Sequence, residues 1–260
     1  MHILKYLQLI RFHFHLSFVS VVAGAFLFAH EITLQIVPQL LLCYIFFNVL
    51  LYGGIYTFND IIDVEADGKH PIKKFRPLPS QSISIRAASV YCIGLVSTGI
   101  LLGYCFLSPK IALLFVFFLV LNLVYTLFLK RVVFLNIANV AGTHTLRFFL
   151  GITLVHGSVH SSTMLLYYVP LFGISITVHS LFNLREFERP YYASRVILAI
   201  QIGCLAMSLL ALSLSGSSEQ KPMLIFAILF FFFVLGSRQS YFQPMFARIF
   251  MIPRKAKVAH

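Results

Sequence analysis

Eight apolar segments follow one another along this chain of 260 residues, and each is long enough, or nearly long enough, to cross a lipid bilayer. Only 11% of the residues are charged, and the mean hydropathy is +0.90, far from the values of soluble domains. The pattern predicts an all-α, multi-pass membrane protein with one integral membrane domain over residues 1–260. The apolar segments are residues 12–29, 36–58, 87–107, 111–129, 134–153, 163–182, 194–215 and 221–237.

Basic residues are concentrated at alternate ends of these segments. Seventeen lysines and arginines lie near the N-terminus, after the second, fourth and sixth segments, or in the C-terminal tail. The other connections hold only Lys110 and Lys221, and Arg147 lies inside a span. By the positive-inside rule, both termini and the connections after the second and sixth segments are expected to be cytoplasmic. Residues 240–252 are interpreted as an interfacial helix, with a ninth span as the alternative.

Acidic residues are rare, and six of the eight lie in two short stretches that follow the second and sixth spans, residues 59–67 and 183–188. In the first stretch, Asp60 precedes Asp63 by three positions and Asp67 follows it by four, a spacing that places all three on one helix face. Like charges on one face repel each other unless a cation lies between them. Oxygen ligands suit Mg²⁺, which shares its coordination with waters and substrate phosphates.

A basic run follows the first acidic stretch within ten residues; it comprises Lys69, Lys73, Lys74 and Arg76. Carboxylates next to ammonium and guanidinium groups indicate a phosphate ligand bridged by Mg²⁺. The alternative is that these residues only keep the connection on the cytoplasmic side and contact lipid headgroups.

The fifth apolar segment is unusually polar, because Asn136, Asn139, Thr143 and Arg147 recur every three or four residues and share one face. An arginine inside a membrane helix is energetically costly and usually faces the interior of a bundle. Two interpretations stay open at this point: hydrogen bonding between helices, or a polar wall that binds an acceptor or the charged head of a ligand.

Two motifs resemble those of a known family. Residues 59–67 read NDxxDxxxD and residues 70–80 read HPxKKxRPLPS, a combination that resembles the first signature of the UbiA superfamily of intramembrane prenyltransferases. Residues 125–131, YTLFLKR, resemble the YSxxLKR segment at the end of that family's fourth helix. The likeness extends over nearly the whole chain. It implies a bundle of eight or nine transmembrane helices around a central cavity, with active-site loops at about 59–86 and 183–195.

The resemblance implies that two acidic motifs bind Mg²⁺ and a polyprenyl diphosphate, whose ionisation leaves an allylic cation for an acceptor to capture. Together with the residue patterns, it assigns three sets of residues. The metal ligands are Asp60, Asp63, Asp67 and Glu186. The catalytic residues are Asp60, Asp63, Tyr125 and Lys130. The substrate-binding residues are Asn59, Lys73, Lys74, Arg76, Arg131, Arg147, Asn183, Arg185 and Glu188.

The second acidic motif departs from the family pattern. Glu186 and Glu188 match acidic positions, but Pro190 stands where the family's last aspartate is found, and proline offers no ligand. The second metal site is therefore expected to be weaker, with Arg185 and Arg189 replacing part of its charge. The HPxKKxRPLPS stretch at residues 70–80 also resembles the polyprenyl-phosphate phosphoribosyltransferase branch of the superfamily, which likewise has basic residues in place of an ordinary second aspartate motif.

The predicted function is a Mg²⁺-dependent transfer of a polyprenyl group from a polyprenyl diphosphate to a small aromatic or lipid acceptor. One alternative is a polyprenyl-phosphate phosphoribosyltransferase that uses phosphoribosyl diphosphate. Another is a non-catalytic lipid-binding or transport protein, although transporter sites usually lie at the membrane midplane and these carboxylates lie at its surface. The net charge of +12 does not indicate a nucleic-acid partner, because the basic residues follow the connections rather than one patch.

Overall fold

The structure is a computed structural model that describes residues 2–29, 34–132, 134–157, 161–183, 194–214, 217–239, 241–242 and 245. All regular structure within these ranges is helical. The α-helices are α1 His2–Ile10, α2 Val19–Phe28, α3 Ile36–Cys43, α4 Tyr52–Ile62, α5 Val64–Lys69, α6 Ile85–Phe106, α7 Pro109–Val124, α8 Leu135–Leu154, α9 Ser161–Asn183, α10 Ser194–Leu214 and α11 Ser217–Arg238. Two 3₁₀ segments, Phe12–Phe18 and Lys73–Phe75, and two π-helical segments, Tyr44–Leu51 and Tyr125–Leu129, complete them.

Each of the eight apolar segments forms a helix, which confirms the prediction of an all-α multi-pass membrane protein. In the described parts of the chain, five helices are long and apolar enough to cross a membrane: Ile3–Phe28, Ile36–Ile62, Ile85–Phe106, Pro109–Leu129 and Arg195–Ser213. Two shorter apolar helices are Tyr167–Val178 and Leu224–Ser237. The expected ninth element at 240–252 falls almost wholly outside the described residues.

The chain divides into two compact units, residues 1–130 with 146–158, and residues 131–145 with 159–260. The single membrane domain expected from the sequence stays a prediction. In the second unit, α9 packs on α10 and α11, with a core that includes Ile137, Ile176 and Ile197. A hydrogen bond from Gln201 Nε2 to Thr177 Oγ1, 2.8 Å long, joins α10 to α9.

The first unit packs the first four spans and the C-terminal part of α8 around a core rich in phenylalanine, including Phe47, Phe115 and Phe118. Helices α2 and α8 approach each other at two glycines. A Cβ atom on Gly151 would lie 1.9 Å from the Val21 carbonyl oxygen, and one on Gly24 would lie 2.0 Å from the Phe148 carbonyl oxygen. Small residues permit such close backbone approach between membrane helices. The contact holds Arg147, one turn before Gly151, inside this unit.

Candidate functional site

The first acidic stretch lies at the end of the second span, where α4 gives way to α5. Asp63 stands at the junction, with a φ of −92° and a ψ of 3°, and the backbone bonds Asp63 N–Asn59 O (3.0 Å) and Asp67 N–Asp63 O (2.8 Å) carry the helical path across it. Asp60 and Asp67 are buried, with 4% and 6% of their surface exposed, whereas Asp63 is half-buried. Two carboxylates are thus withdrawn from water, which requires cationic or hydrogen-bonding partners.

Arg76 connects the two buried aspartates. Its Nη1 atom lies 2.5 Å from Asp67 Oδ2 and 3.6 Å from Asp60 Oδ1, so one cation reaches both carboxylates. Lys73 Nζ lies 3.9 Å from Asp67 Oδ1. The short 3₁₀ segment at Lys73–Phe75 returns the basic run over α5 and brings these side chains to the carboxylates. Lys74, in contrast, is exposed, with its Nζ atom 5.1 Å from the centroid of the Phe75 ring.

Arg11 is a site residue that the sequence does not reveal, because its position near the N-terminus marks it only as one of the charges that set the topology. Its Nη2 atom donates to Asp60 Oδ1, and its guanidinium lies 5.3 Å from the centroid of the Tyr56 ring. The backbone of Arg11 is left-handed, with a φ of 54° and a ψ of 56°. Such a conformation costs about 1–3 kcal/mol in a residue other than glycine and persists where its surroundings hold it, often at functional sites. A lone arginine between two apolar stretches was the available signal.

The end of the fourth span meets the same stretch. Lys130 Nζ donates to Asp63 Oδ1, and Thr126 Oγ1 donates to Asn59 Oδ1. Tyr125, which begins the π-helical segment here, is half-buried, and Arg131 is exposed. The structure therefore places Lys130 beside Asp63 and leaves Arg131 exposed among the described residues.

These contacts define what we call the carboxylate–cation cluster, which consists of Asp60, Asp63, Asp67, Arg11, Lys73, Arg76 and Lys130. Its carboxylate oxygens are ligands of the kind that Mg²⁺ prefers, and Arg76 reaches two of the three carboxylates, those of Asp60 and Asp67, so the donors suit this ion by chemical type. Asp63 pairs separately with Lys130. Among the residues that the structure describes, no group of three or more histidine, cysteine, aspartate or glutamate side chains is arranged to hold a metal ion.

Arg147 lies deep in the first unit, with 2% of its surface exposed. The carbon of its guanidinium is 4.5 Å from the ring centroids of both Tyr52 and Phe118 and 5.9 Å from that of Phe47. The described carboxylates make no ion pair with it. Asn136, Asn139 and Thr143, on the same helix, are also buried.

The second acidic motif cannot be placed in the same way. Arg185, Glu186, Glu188, Arg189 and Pro190 lie outside the described residues, and Asn183 is described only as the last residue of α9. Their assigned roles stay predictions.

Several helices of this chain are long and apolar enough to span a membrane, and acidic and basic side chains meet at the end of the second span. These features define a multi-pass membrane protein with a polar site at the end of that span. The chain belongs to the UbiA prenyltransferase family, whose model matches residues 17–244. The family assignment made from the motifs at 59–80 and 125–131 is confirmed.

Relatives of known sequence match shorter stretches. The chain is 30% identical over 113 residues to decaprenyl-phosphate phosphoribosyltransferase of Mycobacterium tuberculosis, covering 44% of this chain and 37% of that protein. It is 35% identical over 121 residues to protoheme IX farnesyltransferase of Pyrobaculum neutrophilum, covering 45% of this chain and 42% of that protein. Each alignment thus takes in less than half of the relative.

Among solved structures, the chain resembles a UbiA homologue from Archaeoglobus fulgidus bound to DMAPP and Mg²⁺, with a TM-score of 0.73 at 17% identity. The match covers 94% of each chain. The same homologue bound to GPP and Mg²⁺ gives a TM-score of 0.72, with 94% of this chain and 95% of that chain covered. At this identity the likeness establishes the fold, and it confirms the UbiA-like helical architecture.

Proposed function

We propose that this chain is a Mg²⁺-dependent prenyltransferase, which moves a prenyl group from a polyprenyl diphosphate to a small aromatic or lipid acceptor. The observation that carries the proposal is the carboxylate–cation cluster. Among the described residues, its three carboxylates meet four cations, which leaves one positive charge in excess. A site with forked guanidinium donors and excess positive charge suits a ligand with several anionic oxygens, such as a diphosphate.

In the proposed reaction, the bond between the allylic carbon and the diphosphate oxygen breaks, and its electron pair leaves with the oxygen. Lys73, Arg76 and Lys130 would donate hydrogen bonds to the diphosphate oxygens as their negative charge grows. Mg²⁺, held by Asp60, Asp63 and Asp67, with Glu186 at a second site, would supply further positive charge to the leaving group. The nucleophilic atom of the acceptor then bonds to the allylic carbon, and its proton passes to an oxygen of the released diphosphate.

The relatives support the proposed class of reaction, a prenyl transfer. A UbiA homologue of the same fold binds GPP or DMAPP with Mg²⁺, and protoheme IX farnesyltransferase is named for a prenyl transfer. The cluster lies at the ends of apolar spans, which would suit a prenyl chain, and a site closed by such helices would exclude the water that quenches an allylic cation.

The test is diphosphate release by purified protein in lipid nanodiscs, with labelled farnesyl diphosphate and a panel of aromatic and lipid acceptors. We expect Asp60→Asn and Asp63→Asn to lower turnover at least about 100-fold, as loss of electrostatic stabilisation does elsewhere. Glu65→Gln is the matched control, because Glu65 is an exposed carboxylate on α5. Wild-type turnover in either aspartate variant would remove the proposal.

A second candidate is a polyprenyl-phosphate phosphoribosyltransferase, in which the bound diphosphate belongs to phosphoribosyl diphosphate and the lipid phosphate is the nucleophile. The similarity to the mycobacterial phosphoribosyltransferase favours it. Farnesyl phosphate incubated with phosphoribosyl diphosphate and Mg²⁺ separates the two reactions. A phosphoribosylated lipid would establish this candidate, and transfer from farnesyl diphosphate would exclude it.

We also propose that Asn183, Arg185, Glu186 and Glu188 face the cytoplasm together with the carboxylate–cation cluster. The charge asymmetry of the connections supports this orientation. With Pro190 supplying no oxygen, Glu186 would hold its Mg²⁺ loosely, and the diphosphate would complete the coordination.

A further inference from the structure

A column of polar side chains runs along the second span beneath the carboxylate–cation cluster. Tyr44, Asn48, Tyr52, Tyr56 and Asp60 recur every four residues, so they follow one face of the helix. Its first half, Tyr44–Leu51, is π-helical, a rare conformation that is frequent at functional sites. The column therefore extends polar chemistry from the end of the span into the interior of the first unit.

Neighbouring contacts connect much of this column. The Tyr52 and Tyr56 hydroxyls share a hydrogen bond of 2.7 Å, and the Arg11 guanidinium lies over the Tyr56 ring. His15 Nδ1 lies 2.9 Å from the Tyr44 hydroxyl. Arg147 contacts the Tyr52 ring from α8. A chain of contacts thus leads from Asp60, through Arg11 and the two tyrosines, to Arg147.

The interior end of the column holds buried polar atoms that lack partners among the described residues. They are Nε and Nη2 of Arg147, both amide atoms of Asn48, and Nε2 of His15. Their side chains are almost completely buried, with 2%, 0% and 8% of the surface exposed, respectively. A buried donor without a partner costs about 1–3 kcal/mol, and a charged one costs more, so this arrangement calls for a ligand.

The geometry of Arg147 indicates what that ligand is. Tyr52 and Phe118 lie near its guanidinium and leave the in-plane N–H groups as the donors for a polar ligand. Nε and Nη2 are the two nitrogens of one edge of the guanidinium, which binds the two oxygens of a carboxylate or phosphate side by side. The aromatic rings suit the planar cation but offer no negative charge of their own to balance it.

We propose that Arg147 binds an oxyanion, a phosphate or a carboxylate, carried by the second substrate rather than by the prenyl diphosphate. Asn48, four residues before Tyr52 on the same span, would supply an amide to this anion, and His15, which contacts Tyr44, would supply a ring nitrogen. Tyr52 is eight residues from Asp60, which corresponds to about 12 Å along a helix. The oxyanion is therefore held well below the carboxylate–cation cluster, and the reacting atoms lie between the two. This inference rests on the proposed function, because it assigns the second substrate of that reaction.

The experiment measures thermal stabilisation of the purified protein in detergent by two pairs of probes. Farnesyl phosphate is compared with farnesol, and benzoate is compared with benzyl alcohol. We expect one anion to raise the melting temperature of the wild type while its neutral analogue does not. The farnesyl phosphate arm reports a lipid phosphate, and the benzoate arm reports a small carboxylate.

Arg147→Met should abolish that anion-dependent shift, and Arg147→Lys should keep only part of it, because lysine lacks the forked donors. Arg86→Met, which removes an exposed cation from α6, is the matched control and should behave as the wild type. Asn48→Leu serves as a second variant and should reduce the shift by itself.

A third probe, geranyl diphosphate with Mg²⁺, separates this inference from the proposed function. It should raise the melting temperature of the wild type and of Arg147→Met equally, because it binds at the carboxylate–cation cluster. If geranyl diphosphate with Mg²⁺ does not raise the melting temperature of the wild type, the proposed function is rejected. The inference would be overturned if neither anion raised the melting temperature of the wild type, or if the increase were the same in Arg147→Met and Asn48→Leu. In either case, water would be the partner of the buried atoms.

Discussion

Alanine at Gly151 should destabilise the first unit, because the substitution places a methyl group inside the contact between α2 and α8. The added Cβ would lie 1.9 Å from the Val21 carbonyl oxygen and 2.7 Å from the Ala25 nitrogen, whereas ordinary contacts begin near 3.4 Å. Both obstacles are backbone atoms, so no side chain can rotate away. The helices must separate by about 1.5 Å to relieve the first contact.

The magnitude follows from two opposing effects. Overpacking a well-packed interior costs about 1–3 kcal/mol, and a backbone clash belongs at the upper end. Alanine in a helix returns about 1 kcal/mol relative to glycine. A net loss of about 2 kcal/mol corresponds to a melting temperature lower by about 4–8 °C in a chain of this size. The separation also moves Arg147, one turn away, relative to Tyr52 and Phe118, so turnover should fall as well.

The assay is thermal unfolding in detergent. Because the chain has no tryptophan, a thiol-reactive dye is the suitable probe: with the exposed Cys105 replaced by serine in every variant, the dye reports the exposure of the buried Cys43 and Cys92 in this unit. Gly94→Ala is the matched control, since a Cβ there meets nothing within 4 Å. The control should be as stable as the wild type or slightly more stable.

Gly24→Ala provides the internal check, because its Cβ meets the Phe148 carbonyl oxygen in the same helix pair. Once one alanine has separated the helices, the second should cost less, so the double variant should lose less than the sum of the single losses. The reasoning would be refuted if Gly151→Ala melted at the same temperature as Gly94→Ala.

Three further predictions concern the site and its orientation. Arg76→Met should raise the KM for the prenyl diphosphate at least about tenfold, as loss of a charge-assisted contact does, whereas Lys74→Met should leave this KM nearly unchanged. Equal KM values for the two variants in initial-rate measurements would contradict the assignment of Arg76 to the diphosphate site. Glu186→Gln should raise the Mg²⁺ concentration needed for half-maximal rate, and Pro190→Ala should not; a Mg²⁺ titration in which Glu186→Gln behaves as the wild type would make the second motif structural. In a cysteine-free background, Lys74→Cys should react only with thiol reagents on the cytoplasmic side and Lys110→Cys only on the opposite side; the reverse labelling would refute the orientation.

Much of the fold was accessible from the sequence because its signals are local. Long apolar segments specify membrane helices regardless of their neighbours, and all eight predicted segments form helices. Asp60, Asp63 and Asp67 follow one another at intervals of three and four positions, so one helix face could be inferred without tertiary information. The motifs at 59–80 and 125–131 sufficed for the family assignment for the same reason.

The tertiary structure decided the partners of these residues. Arg11 and Asp60 are separated by 49 positions, and Lys130 and Asp63 by 67, so no local pattern pairs them. The spacing of the three aspartates predicts that they lie on one helix face around a cation, whereas in the structure Arg76 links Asp60 to Asp67 and Lys130 pairs separately with Asp63. Composition could not foresee these arrangements, because they depend on which helix ends meet.

Arg147 shows most clearly what the sequence determines and what the tertiary structure decides. Its position within a membrane span predicted an interior location, since an arginine facing lipid is too costly. That it lies among Tyr52, Phe118 and Phe47, and that two of its donors lack partners among the described residues, followed only from packing. Hydrophobicity determines which segments enter the membrane, but contacts between distant segments, such as the glycine contact of α2 with α8, determine where each polar side chain lies inside it.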